Sequence, residues 1–191
     1  EAEGDFLYPD ETETGIKIMS VNLLLDDETT PVLWRGPIIA GTVKQFYSDI
    51  IWGDIDYMFI DCPPGTGDVP LTIFQSIPID GVVVVTTPQD LVSVIVGKAV
   101  HMADSMNIPV IGMIENMSYF ICPDCNNKHY IFGKSQLEQV IRDLYIGHAI
   151  RLPINPSLAG LMDRGEIEHM EANADLQEFA DLISTFDPDK Y

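Results

Sequence analysis

The stretch Tyr57-Met58-Phe59-Ile60-Asp61-Cys62-Pro63-Pro64-Gly65-Thr66-Gly67-Asp68 constrains this chain more than any other. Four apolar or aromatic residues run straight into an aspartate. The pattern predicts a strand buried on both faces, with Asp61 emerging at its carboxyl end, where open α/β sheets place their ligands. Pro63 and Pro64 cannot donate to a ladder and so end the strand, while Gly65 and Gly67 let backbone amides approach a ligand closely. An acid on a stiff mount followed by open amides suits a metal and its phosphates. The same residues also read as a strand whose terminal aspartate caps the next helix.

A chain of 191 residues with 46% hydrophobic content fits one globular domain over residues 1–191, with a core that needs no staples. Apolar runs are short, as in Gly81-Val82-Val83-Val84-Val85, and fall well below the ~20 residues of a membrane span. No basic-then-apolar leader opens the sequence, so a soluble, cytoplasmic protein without a membrane partner is expected. Thirty acidic against ten basic residues give a formal charge of -20, which repels nucleic acid and anionic lipid and argues against either as a partner. The cysteines, Cys62, Cys122 and Cys125, are too few and too unevenly placed for a secreted disulfide framework, and reduced thiols kept for a metal suit them better.

Along the chain, an acidic, turn-rich start leads into a loosely alternating strand at 16–25, a polar turn at 26–30, an irregular connection at 31–37 and a helix at 38–51. Beyond the central motif the pattern predicts a short helix at 69–77, a valine-rich interior strand at 80–86, a helix at 91–107 and a strand at 108–114 ending at Glu115-Asn116. Strand, helix and strand alternate at the spacing of right-handed βαβ units, so the sheet should be mainly parallel. Residues 119–133 interrupt that rhythm with a metal-binding insert around Cys122-Pro123-Asp124-Cys125. A helix at 135–144, a short strand at 148–152 and closing helices at 157–164 and 174–185 follow.

Two thiolates three positions apart can grip one soft metal centre, but two ligands cannot fill a tetrahedral site; a symmetric dimer would supply four. A zinc ion in the same Cys₄ geometry and a redox dithiol stand as competing readings. His129, four positions beyond Cys125, reads either as a third zinc ligand or as an exposed turn residue. The amide side chain of Asn116 can both donate to and accept from a purine edge, or simply form a turn at a strand end. Asp68 is a second acid for a metal or a helix N-cap. Cys62 reads as a packed small hydrophobe, and Lys98 and Arg35 as anion contacts or surface pairs.

Taken together, Trp34-Arg35-Gly36-Pro37, Asp61 through Asp68, Thr86-Thr87-Pro88-Gln89, Glu115-Asn116-Met117-Ser118, Cys122-Pro123-Asp124-Cys125 with Ile131-Phe132-Gly133, and Leu152-Pro153-Ile154 with Gly165-Glu166-Ile167 stand in the order seen in the Mrp/ApbC family. The resemblance runs from about residue 15 to residue 183. It implies a three-layer α/β P-loop NTPase fold of the SIMIBI, MinD-like kind. It further implies that Asp61 orients Mg²⁺, usually through water, and that Gly65 offers its amide to the γ-phosphate of ATP, the two forming the catalytic pair. On the same resemblance Asn116 meets adenine, Pro153 and Ile154 wall the base, and Cys122 and Cys125 of two subunits bridge a [4Fe-4S] cluster. Pro153 and Ile154 also read as plain core.

The implied activity is that of an iron-sulfur cluster carrier: a homodimer joined through the CxxC segment that receives clusters from scaffold proteins and gives them to apo-proteins, with slow ATP hydrolysis as a switch. One departure is large. No G-x-x-x-x-G-K-[ST] loop and no D-A-D-x-x-G segment occurs in these residues, so the resemblance implies a partial domain lacking the N-terminal strand and P-loop. This chain alone is therefore expected not to hydrolyse ATP. The rival from another class is a non-catalytic zinc-binding dimerisation module on the same fold. A membrane-positioning ATPase is disfavoured, because the closing segment 166–186 is acidic rather than basic and amphipathic.

Overall fold

The structure, a computed structural model, describes residues 2–3, 6–25, 36–171 and 173–190. The polar turn expected at 26–30, most of the connection at 31–37 and the candidate Arg35 lie outside the described residues. The chain divides into two compact units, Glu1–Pro78 and Ile79–Tyr191.

In the first unit, short antiparallel pairs join β1 (Ala2–Glu3) to β2 (Phe6–Leu7) and β3 (Asp10–Glu11) to β4 (Lys17–Ile18). The strand expected at 16–25 shrinks to β4, and Ser20 caps a 3₁₀ turn at Val21–Leu24 instead, its hydroxyl accepting from the amide of Asn22. Helix α1 (Gly36–Ser48) packs on α2 (Asp68–Ser76), burying Ala40, Pro70 and Ile73. Ile50 forms a parallel bridge with Leu7, and the indole of Trp52 donates to the carbonyl of Phe46 at 2.9 Å.

Residues 57–60 form no strand, which corrects the expectation for the central motif: Tyr57 is 55% and Phe59 75% exposed. Four apolar residues in a row report a tendency to be buried, but a strand also needs a neighbour to take its N–H and C=O groups. Among the described residues of this unit no strand lies alongside them.

The second unit is built on a mainly parallel sheet. β6 (Val110–Ile121) is central, with β5 (Val82–Thr86) and β8 (Ala149–Pro153) parallel to it and β7 (Lys128–His129) antiparallel to its far end. Helix α3 (Asp90–Ser105) returns the chain from β5 to β6, and α4 (Leu137–Asp143) precedes β8. Helices α5 (Pro156–Asp163) and α6 (Ala174–Ser184) are each capped by an asparagine, Asn155 and Asn173, whose side chains accept from two amides apiece.

Successive residues of a strand face opposite ways, and β6 uses both. Met113 is fully buried in a core with Val84 of β5, Val96 and Val100 of α3, Leu137 of α4, and Ile146. Its neighbour Gly112 meets α6 on the other face: a Cβ there would fall 2.8 Å from the ring of Phe179, which is itself buried. Helices on both faces of a mainly parallel sheet give the expected three-layer α/β architecture. No helix of the described residues is long and apolar enough to cross a membrane.

Candidate functional site

In the first unit, Asp61 is exposed at the start of an irregular loop running to α2. It does not ride on a strand tip. Gly65 is exposed with φ of +90°, a left-handed conformation that a side chain would strain. The N-cap of α2 is Gly67, so Asp68 is the first helical residue rather than the cap, with its carboxylate where the helix dipole favours negative charge. Half-buried Cys62 has its thiol pushed up by burial and, secondarily, by the charge of Asp61, so it is a poor thiolate. The carboxylate is accessible, and the space around Gly65 is open, with nothing within 4 Å of where a Cβ would stand.

In the second unit the carboxyl ends of the parallel strands come together. β6 does not stop at Asn116 as expected but continues to Ile121 through an irregularity: Glu115 pairs with Arg151, Tyr119 with Pro153, and Met117 lies between at φ of +54°. Asn116 sits at this bulge, exposed, with Oδ1 accepting from the amide of Met117 at 2.9 Å. It also marks the end of the β5–β6 ladder, whose last pair is Thr86 with Glu115. Pro153 closes β8 opposite Tyr119, and the amide of Ile154 donates to the Tyr119 carbonyl at 2.7 Å; both side chains are half-buried. Asn116, Pro153 and Ile154 are thus tied to one bulge and one strand end.

Beneath that bulge lies a polar cluster that sequence reading missed. Glu115 is buried, accepting from Ser118 Oγ at 2.5 Å and from Ser135 Oγ at 3.0 Å, while Arg151 Nε donates to Ser135 at 3.1 Å. A cavity of about 30 Å³ is lined by Glu115, Thr86, Thr87, Pro88 and Gln89 among others. The only sequence signal was a charged residue within an apolar strand run, Met113-Ile114-Glu115.

The cysteine pair sits on a tight knuckle at the end of β6. The amide of Cys122 donates to the Asn127 carbonyl at 3.0 Å, and the amide of Asn126, at φ of +56°, donates to the Cys122 carbonyl at 2.9 Å. The amides of Cys125 and then Asp124 point at the Cys122 sulfur, and the Cys125 thiol adds a third hydrogen bond. These donors hold the Cys122 thiol below its ordinary range, favouring the thiolate that binds metal. The sulfurs of Cys122 and Cys125 and a ring nitrogen of His129 all lie within 4.8 Å of one another.

A mainly parallel three-layer sheet whose connecting loops gather at the strands' carboxyl ends defines an α/β protein of the P-loop NTPase class. Over residues 1–186 the sequence matches the family described as ParA: NUBPL iron-transfer P-loop NTPase, and the chain belongs to that family. Relatives named iron-sulfur cluster carrier protein include one from Methanocaldococcus jannaschii, 48% identical over 160 residues, or 83% of this chain and 55% of the relative. Another, from Methanococcus maripaludis, is 40% identical over 186 residues, or 96% of this chain and 64% of the relative. A solved nucleotide-binding protein from Archaeoglobus fulgidus, in complex with ADP and with Co found by PIXE, superposes with a TM-score of 0.75 at 38% identity, covering 89% of this chain and 65% of that one. The chain therefore spans less than two thirds of the length of each. Its resemblance to the Mrp/ApbC family of cluster carriers is thereby shown.

Proposed function

We propose that this chain is the cluster-holding part of an ATP-switched iron-sulfur cluster carrier. The observation that carries the reading is the knuckle at Cys122 and Cys125, where two sulfurs face each other and backbone amides are aimed at one of them. Peptide N–H groups directed at a thiolate stabilise its charge, which a cluster requires and a packed cysteine does not. The relatives' name, iron-sulfur cluster carrier protein, supports the same cargo.

Two sulfurs per chain need two more, so the cargo is a [4Fe-4S] cluster bridging the knuckles of two copies and passed on to apo-proteins, after loading from a scaffold protein. Asp61 would orient Mg²⁺ and the Gly65 amide would meet the γ-phosphate. Asn116, Pro153 and Ile154 would hold adenine, a reading supported by the ADP bound to the Archaeoglobus relative. In the intact carrier, nucleotide state would then alter how two copies dock and hence how readily cargo leaves. Such work belongs in the cytoplasm, where thiols stay reduced.

Anaerobic reconstitution with iron and sulfide tests the carrier. The expected product is a brown dimer with about four irons, lost in Cys122→Ser. Tightly held zinc with no iron uptake would instead make the chain a zinc-binding dimerisation module.

A further inference from the structure

The hairpin that carries the cysteines places one more ligand beside them. Phe120 pairs with His129 and Ile121 with Lys128, and the Cys122 amide bonds to the Asn127 carbonyl, so residues 122 and 127 are the next pair in register. Residues on one face of an antiparallel pair alternate by two. Cys122 and His129 are therefore diagonal neighbours on the same face, with the sulfur and a ring nitrogen within 4.8 Å. Lys128 turns to the other face, where its ammonium lies 4.1 Å from the centroid of the Tyr119 ring. That contact favours the observed register, since a slip of one residue would carry His129 away from the cysteines.

We propose that His129 completes, with Cys122 and Cys125, a three-ligand site on a single chain for a borderline-soft divalent ion of the zinc class, with the fourth position open. It rests on the reading of the two cysteines as metal-binding thiolates but needs no second copy. A tetrahedral ion with bonds of ~2.3 Å to sulfur and ~2.0 Å to nitrogen sets its ligands roughly 3.5–3.8 Å apart. The observed group, within 4.8 Å, needs to close by only about an ångström, and Cys125 and His129 are exposed side chains rather than packed ones. Three protein ligands and one open position is how zinc is held where something else must bind it. A chain whose thiolates are engaged with its own histidine has none to offer a bridging cluster, so divalent ion and cluster are alternative loads.

The test titrates the reduced, metal-free 191-residue chain with Co²⁺, with Zn²⁺ as competitor. Expected are one Co²⁺ per chain, the strong visible bands of tetrahedral cobalt with thiolate charge transfer, and a gel-filtration position that stays monomeric. His129→Ala should weaken Co²⁺ binding at least ~10-fold, because even partners outside the ligand shell cost ~10–100-fold. His129→Asp, which returns an oxygen ligand, should recover part of the loss. Because the cluster uses cysteines alone, His129→Ala should still take up iron and sulfide, whereas Cys122→Ser should lose both loads. Equal Co²⁺ affinity in the parent chain and His129→Ala, or one ion found only per two chains, overturns the proposal and leaves the carrier reading standing. Failure of the parent chain to take up a cluster sinks the carrier reading while leaving the single-chain site.

Discussion

The hydroxyl of Ser118 donates a 2.5 Å hydrogen bond to Oε1 of Glu115, and both side chains are buried. Ser135 occupies the other carboxylate oxygen and in turn accepts from Arg151, whose guanidinium reaches out to Glu138 at 3.0 Å. This chain of donors links the bulge of β6 to β8 and to the residues before α4. The tie between the β6 bulge and β8 lies beside Asn116, Pro153 and Ile154.

Glu115→Ala leaves the buried Ser118 hydroxyl and the half-buried Ser135 hydroxyl without their acceptor and should destabilise the second unit by about 2–4 kcal/mol. Arg151→Ala should cost about 1 kcal/mol or less, because its side chain is 35% exposed, its nearer partner Glu138 is 63% exposed, and the buried Glu115, 3.7 Å away, keeps both of its hydroxyl donors. Urea unfolding would read both as shifts of midpoint at constant slope. Equal costs for the two variants would mean that the buried carboxylate is not the centre of the network.

The faces of β6 give a second prediction. Gly112→Ala pushes a methyl group to within 2.8 Å of the Phe179 ring and 2.9 Å of the His148 carbonyl, so α6 must shift, at about 1–3 kcal/mol. Phe179→Ala alone should cost ~3–5 kcal/mol, and in the double variant the glycine substitution should add much less than it does alone. Strict additivity in a double-mutant cycle would show that the strain comes from the His148 backbone instead.

The thiols supply a pH prediction. Hydrogen bonds lower the folded pKa of Cys122, so its thiolate survives below the ordinary thiol range and is lost only as pH falls through that depressed value. Burial and Asp61 raise Cys62, so its thiolate appears only above that range. In metal-free protein, alkylation should therefore reach Cys122 first, with a lower pH midpoint than Cys62. Peptide mapping after timed iodoacetamide treatment would check the order, and Cys62 reacting first would contradict the hydrogen-bonded knuckle.

Period and punctuation were enough to read the helices and the valine-rich strands from sequence, because burial alone decides those residues. β5 and α2 fall within two residues of their expected ends. What required partners was harder. Residues 57–60 carry a strand's composition but no strand lies beside them among the described residues, and β6 outruns Asn116 because Met117 takes a left-handed turn no local pattern marks. The cysteine pair was legible from its spacing. The placing of His129 on the cysteine face was not, since it depends on the pairing of Phe120 with His129 across a hairpin.

ATP turnover tests the Asp61 loop by itself. Asp61 is exposed, but no G-x-x-x-x-G-K-[ST] loop occurs among these residues to supply a phosphate-binding lysine. The purified 191-residue chain should show no measurable ATP hydrolysis. Multiple turnover by that chain, abolished in Asp61→Ala, would reverse the reading.

In the proposed carrier, cluster holding depends on the docking of two copies, and local charge does not oppose that docking at the hairpin. The whole chain carries a formal charge of -20, yet residues 119–134 hold Lys128 and Lys134 against Asp124 alone, 2 - 1 = +1. The same segment exposes Ile121, Tyr130, Ile131 and Phe132, with Ile131 at 59% exposure. Two copies meeting there would hide apolar surface while keeping their acidic remainders apart. Ile131→Asp should then remove about 1.5–3 kcal/mol of dimer stability per copy and cut cluster uptake at least ~10-fold, leaving Co²⁺ binding by the single chain unchanged. Salt should act the other way, strengthening the cluster-loaded dimer as ionic strength rises past about 0.1 M and screens the acidic surfaces. Light scattering on the reconstituted protein reads both effects, and a dimer indifferent to Ile131→Asp would place the contact on another surface.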